Sequence, residues 1–214
     1  RLNFWRVTAW EGEIGITAPL EHAAVDWQKT GKTATVSPIL PANDPILKAL
    51  SLPTMMAITN AEHEGTERQL ERLEEALQTG LRLIQVRDKG WPPAQRLWFA
   101  EAVCRLAHSH GALVVINGDE EIARKVGADG VHLSSACLAS CAQRPDFTWV
   151  GASCHNAAEI TRAGELGLDY ALLGPVLPTP THPENAGIGW AEFAGQLAGN
   201  TLPVLALGGM KPEM

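Results

Sequence analysis

From residue 55 onward, short apolar runs alternate with longer segments whose apolar positions recur at helical spacing. The runs, several of them ending in polar groups, are Met55–Thr59, Leu83–Lys89, Val114–Asp119, Gly130–Ser135, Trp149–His155, Tyr170–Val176 and Pro203–Gly209. They are rich in β-branched residues and almost continuously apolar, the composition of strands covered on both faces. Arg68–Gln78, Ala94–His108 and Ala157–Leu166 are the clearest helices between them. Strands alternating with helices predict βαβ units and a parallel sheet. The predicted fold is α/β, a (β/α)8 TIM-type barrel that is incomplete at its C-terminus. Pro203–Gly209 is the seventh strand, and only Met210–Met214 follows. An eighth strand is therefore expected from a continuing parent protein, or its place is covered by another chain or by the N-terminal segment.

Polar residues gather where these runs end, and in parallel α/β folds ligands bind at the carboxyl ends of the strands. Gln85, Arg87 and Lys89 stand two apart, so an extended backbone projects them on one face. Two cations on the inward face of a buried strand require an anion to meet them. Asn117 and Asp119, Ser153 and His155, and the Gly208-Gly209 turn close other strands. His132 lies inside an apolar run and reads as a satisfied core group. His108 and His110 read as caps at a helix C-terminus. The Pro- and Thr-rich stretch Pro175–Pro183 reads as a loop over the site, with Gly187 and Gly189 as its hinges.

Residues 1–50 have a different texture. They hold Trp5, Trp10 and Trp27, a strand-like Phe4–Val7 and a short helix candidate, Ile46–Leu50. Pro53 punctuates the chain before the first barrel strand. The domains are therefore read as 1–50 and 55–214, joined by a linker at 51–54.

Composition narrows the partners. A net charge of −7 argues against nucleic acid, which needs a basic surface. No apolar run is long enough to span a bilayer. Cys104, Cys137, Cys141 and Cys154 lack paired C-x-x-C spacing, which disfavours a zinc site and suits a reducing cytoplasm. A small anion in a local cationic pocket remains compatible with the acidic whole, as does a homo-oligomer.

The motifs in residues 55–214 resemble the thiamine-phosphate synthase/TenI family of small (β/α)8 barrels. They are Gln85-Val86-Arg87-Asp88-Lys89, Ile116-Asn117-Gly118-Asp119, Gly127–Leu133, Gly151–His155, Asp169–Thr181 and Leu207–Met210, in the family's order. The resemblance implies an enzyme that joins hydroxymethylpyrimidine diphosphate to a thiazole phosphate and releases pyrophosphate. Its ligands would be small phosphorylated pyrimidines or thiazoles. Arg87, Lys89 and Asn117 would meet the diphosphate, and Gln85 and Ser153 would flank the pyrimidine. Thr179, Thr181, the Gly208-Gly209 backbone and His182 would surround the thiazole phosphate, His182 standing where the family has a lysine. The family's magnesium is held by two aspartates, whose positions here are Gly118 and Cys137, leaving Asp119 as a neighbouring candidate ligand. Two alternatives follow from the same resemblance. One is a TenI-type thiazole tautomerase with His155 as base, and the other is a non-catalytic phosphate-ligand sensor.

Residues 1–50 resemble the C-terminal third of a MutT-type Nudix hydrolase. The resemblance rests on Phe4–Val7, Trp10-Glu11-Gly12-Glu13 and Pro41–Ile46, with Asn43 at the position that recognises a damaged guanine base. The glutamate-rich Nudix box is not in this chain, and Glu71, Glu74 and Glu75 read as a solvated helix face. No Nudix hydrolysis is therefore expected of residues 1–50, a small β-rich remnant whose parent would be an 8-oxo-dGTP-type hydrolase.

Overall fold

The computed structural model describes residues 7, 9–21, 23–28, 39–179 and 186–210. The chain divides into two compact units, Arg1–Ser51 and Leu52–Met214.

In the first unit, the Trp10 and Trp27 rings lie 5.6 Å apart. The Asp26 carboxylate accepts the Trp27 N–H at 2.8 Å and the Gln28 amide at 2.7 Å. A single 3-10 turn, Pro41–Asn43, leads into helix α1, Asp44–Ser51, which starts two residues before the predicted helix. Proline's fixed φ favours a first helical position, and the two prolines at 41 and 45 sit in first turns. Asn43 lies in the 3-10 turn, its N–H donating to Leu40 O at 2.8 Å. Of the predicted strand Phe4–Val7, residues 4–6 lie outside the described residues. None of the described residues of this unit forms a strand.

The second unit carries seven parallel strands in the order β1 to β7. They are β1 (Ala57–Ile58), β2 (Leu83–Val86), β3 (Leu113–Asn117), β4 (Gly130–Leu133), β5 (Trp149–Cys154), β6 (Tyr170–Leu173) and β7 (Val204–Ala206). Helices follow the strands: α2 (Ala61–Glu64) and α3 (Thr66–Gln78), α4 (Pro93–Ser109), α5 (Glu120–Val126), α6 (Ser135–Ser140), α7 (Ala157–Glu165) and α8 (Gly189–Gln196). β1 and β7 are the edges of the curled sheet, and among the described residues no strand joins them.

Alternation along each strand builds two cores. Ile84, Val86, Val114, Ile116, Val131, Val150, Ala152, Ala171 and Leu173 face the helices, where they meet Leu73, Leu77, Phe99, Val103 and Ile160. Leu83, Val115, Trp149, Tyr170 and Leu172 face the concave side. Neighbouring strands pair in register, Gln85 with Val115, Asn117 with His132, His132 with Gly151, and Gly151 with Tyr170. The polar inward positions of adjacent strands are thereby brought to neighbouring heights.

Local chemistry fixes the helix starts. Asp119, Ser134 and Asn156 are N-caps whose side chains accept the N–H three residues on. A repeated Gly-x-Asp opens β4 and β6. Asp129 Oδ2 accepts the Val114 N–H, and Asp169 Oδ2 accepts the Val150 N–H, each at 2.7 Å. Each aspartate therefore ties its strand to the preceding one, and each has a basic partner, His108 at 2.9 Å and Arg144 at 2.8 Å. His110 closes α4 as its C-cap.

Candidate active site

The carboxyl ends of β2 and β3 carry the charge. Gln85 is buried, and its Nε2 donates to Asn117 Oδ1 at 3.0 Å. Gln85 Oε1 is buried without a hydrogen-bond partner, an acceptor left open in the concave core. Beyond it the chain turns around Asp88, which is 4% exposed. The Thr59 hydroxyl donates to Asp88 Oδ2 at 2.5 Å, the Glu62 N–H donates to Oδ1 at 3.0 Å, and Thr59 Oγ1 accepts the Arg87 N–H at 2.9 Å. The one carboxylate of the motif is thus spent on joining β1 to β2. Arg87 and Lys89, on either side, are exposed, and neither is ion-paired with a carboxylate among the described residues. A small cleft there is lined by Arg87, Lys89, Arg96 and Asn117.

Both cations act on His132. Burial, then the charge of Arg87, then that of Lys89 lower the pKa of this imidazole to about 3. His132 is completely buried, with Nδ1 3.1 Å from the Tyr170 hydroxyl and Nε2 2.9 Å from Ser153 Oγ. Burial, with a smaller contribution from Asp169, holds the Tyr170 phenol well above its usual range. Sequence reasoning placed His132 in the core but missed this chain of hydrogen bonds. The available signal was register: one residue on each of three neighbouring strands, with Gly151 between two of them.

The other predicted residues are more dispersed. His155 is exposed, and Glu159 Oε2 accepts its backbone N–H at 2.8 Å and lies 3.2 Å from Nδ1. This is the reciprocal capping arrangement of α7, in which Asn156 Oδ1 accepts the Glu159 N–H at 3.0 Å. Gly208 and Gly209 follow β7 at positive φ, 96° and 68°. A Cβ on either would fall 2.6 Å from Pro175 or Leu177, so the turn needs glycine at both. Their N–H groups donate to no backbone carbonyl among the described residues. Thr179 is half-buried near the same strand ends, while Thr181 and His182 lie outside the described residues.

The residues at the magnesium positions do not fit magnesium. This ion takes oxygen ligands in near-octahedral geometry, whereas Gly118 has no side chain and Cys137 offers an exposed thiol on α6. The neighbouring Asp119 is committed: Oδ1 accepts the Ile122 N–H at 2.9 Å and Oδ2 pairs with Arg96 at 3.0 Å. Among the described residues, no three His, Cys, Asp or Glu side chains converge on one point.

Seven consecutive parallel strands, with exposed cations beyond the carboxyl end of β2, define a curled, TIM-like half-barrel. The family model described as thiamine monophosphate synthase matches residues 55–214, and the chain belongs to that family. It is 37% identical over 154 residues to a thiamine-phosphate synthase of Synechococcus sp., covering 69% of this chain and 42% of that relative. Against a thiamine biosynthesis bifunctional protein of Symbiobacterium thermophilum the identity is 39% over 146 residues, covering 65% of this chain and 30% of the relative. The chain thus spans less than half the length of these two. A thiamine-phosphate synthase of Mycobacterium bovis is 36% identical over 155 residues, with 65% and 69% covered. Among solved structures, thiamine phosphate pyrophosphorylase of Pyrococcus furiosus superposes with a TM-score of 0.61 at 25% identity, covering 74% of this chain and 76% of that one. Residues 1–54 lie outside the family match.

Proposed function

We propose that the second unit binds a pyrimidine diphosphate and a thiazole phosphate and joins them, releasing pyrophosphate, as a thiamine-phosphate synthase does. The observation that carries this reading is the pair Arg87 and Lys89. Both are exposed beside Asn117 and the open acceptor of Gln85, and no carboxylate among the described residues neutralises them. The chemistry is dissociative. The bond from the exocyclic methylene to the diphosphate oxygen breaks with its electron pair leaving on the diphosphate. The thiazole nitrogen lone pair then forms the new bond to the methylene carbon. Charge grows on the departing group, and Arg87 and Lys89 stabilise it where it develops. The Gly208 and Gly209 N–H groups hold the thiazole phosphate and so fix the nucleophile. Magnesium, which the resemblance implies, has no ligand set in the described residues, so no step is assigned to it. For residues 1–50 the reading is a Nudix remnant around Asn43, supported by the sequence motif.

The test is formation of thiamine phosphate from the two substrates. Wild-type turnover that falls about 100-fold or more in Arg87→Ala, the scale of one lost transition-state donor, supports the reading. Absence of both product and substrate binding overturns it. One observation favours a second reading: Glu159 can orient His155 through Nδ1 and leave Nε2 as the base of a proton-transferring tautomerase. Isomerisation of a thiazole carboxylate phosphate that is lost in His155→Gln, with no synthase turnover, would select it.

A further inference from the structure

The three hydrogen-bonded side chains on β4, β5 and β6 have a direction that the geometry determines. The Tyr170 hydroxyl is buried, and among the described residues its only partner is His132 Nδ1, at 3.1 Å. A buried phenol that accepted a proton here would leave its own O–H unpaired, at full desolvation cost. Its proton therefore points at Nδ1. His132 is fully enclosed beside two cations and stays neutral, so it has one donor and one acceptor nitrogen. With Nδ1 accepting, Nε2 carries the hydrogen and donates it to Ser153 Oγ at 2.9 Å. Ser153 Oγ has no other protein partner among the described residues, and the residue is only half-buried.

We infer that Tyr170 and His132 act as positioning residues in a one-way relay, Tyr170 to His132 to Ser153. The relay makes the serine hydroxyl a donor aimed into the barrel mouth. Ser153 then offers its O–H to an acceptor atom on the ligand's ring, such as an unprotonated heterocyclic nitrogen. This rests on the reading that the mouth binds a phosphorylated heterocycle, and it adds which edge of the ring the site selects. Gly151 is what permits the relay. It pairs with His132 on one side and Tyr170 on the other, and a Cβ there would lie 2.1 Å from the Tyr170 ring. The missing side chain lets the phenol cross β5 to reach β4.

The experiment is two-bond nitrogen–proton NMR on the full chain with ¹⁵N-labelled histidine. The His132 signals are assigned by their loss in His132→Gln. An Nε2–H tautomer, retained in Ser153→Ala and with the Nδ1 resonance displaced in Tyr170→Phe, is the expected result. An Nδ1–H tautomer or a charged ring in the wild type overturns the relay. Calorimetry with hydroxymethylpyrimidine phosphate gives the functional arm, with inorganic diphosphate reporting a folded mouth. Tyr170→Phe and Ser153→Ala are expected to weaken the pyrimidine about tenfold, the scale of one neutral hydrogen bond. Unchanged affinity in Tyr170→Phe refutes the relay. A wild type that binds diphosphate but not the pyrimidine refutes the ligand reading instead, and the nitrogen resonances still decide the relay.

Discussion

Replacing Gly151 with alanine inserts one methyl group into the centre of the concave core. The new Cβ would stand 2.1 Å from Tyr170 Cζ and 2.4 Å from both Cε atoms. Carbon pairs rest at about 3.5–4.0 Å, so the ring must retreat by more than 1 Å. It has nowhere to go, because Tyr170 is fully buried among Leu83, Val115, Trp149 and Leu172. Overpacking of this kind costs about 1–3 kcal/mol. Displacing the phenol also breaks its bond to His132 and loosens the bond from His132 to Ser153, about 0.5–1.5 kcal/mol each. Alanine recovers about 0.4–1 kcal/mol by restricting the unfolded chain, since Gly151 has an ordinary strand φ. The net expectation is a loss of roughly 1–6 kcal/mol.

Urea unfolding measures that loss. Tyr170 is the chain's only tyrosine, so a ring-labelled tyrosine gives a single NMR signal from the second unit. The signal should shift in the folded variant. Gly164→Ala serves as the control: its Cβ meets nothing within 4 Å, in the last turn of α7, and a gain of about 0.4–1 kcal/mol is expected. A Gly151→Ala protein within about 0.5 kcal/mol of wild type, the ordinary range for surface changes, with an unmoved tyrosine signal, would refute the packing argument.

Two further outcomes follow from buried titratable groups. His132 has its pKa lowered to about 3 from an ordinary 6.5, so on acidification the unfolded chain takes up a proton before the folded one does. Its contribution is complete above about pH 6.5 and is lost as the pH falls toward 3, at about 1.4 kcal/mol per unit. Between pH 7 and 5 the wild type should lose about 2 kcal/mol more than His132→Gln in urea titrations, and equal losses would contradict the assignment. The Cys104 and Cys154 thiols are pushed up to about 12, chiefly by burial, with smaller contributions from Asp129 and Glu159 respectively. An aromatic disulfide reagent should label exposed Cys137 first and half-buried Cys141 more slowly, reaching the other two only on unfolding. Rapid labelling of all four would show the core to be open.

The strands and the longer helices were legible because burial on both faces leaves a near-continuous apolar run. α3, α4 and α7 begin and end within two residues of the predicted limits. β1 is shorter than its apolar run, Ala57–Ile58 in place of Met55–Thr59, because the Thr59 side chain turns to the buried Asp88. Period-two alternation foretold that Gln85 would face inward, but β2 ends at Val86, and Arg87 and Lys89 beyond it are exposed rather than on an inward strand face. What alternation could not show is how each polar group is spent. Asp88 reads as one more charge in the motif, yet it is a structural tie. His132 reads as core, yet it is joined to Tyr170 and to Ser153 across 38 and 21 residues of sequence. Such pairings depend on register between strands, which the linear pattern leaves open.

On the proposed function, the residues at the mouth offer an anion site that does not depend on a metal cradle. In the family pattern, two aspartates and one magnesium ion add −2 and +2, so the cradle is neutral overall. Gly118 and Cys137 remove both carboxylates, and with them the reason to hold the ion. The sum is unchanged. Arg87 and Lys89 therefore keep the same uncancelled charge for an anion, and anion affinity does not require the missing ligands. Rate is another matter. A metal ion would supply a charge that acts as the leaving group's charge develops, whereas the exposed Arg87 and Lys89 would bind ground state and transition state more nearly alike. On that proposal binding is the more robust half of the chemistry, and the speed of bond breaking would rest on how closely Arg87 and Lys89 are held to the leaving group. The Thr59–Asp88 tie, which anchors the backbone between them, is the part of the fold that sets that distance.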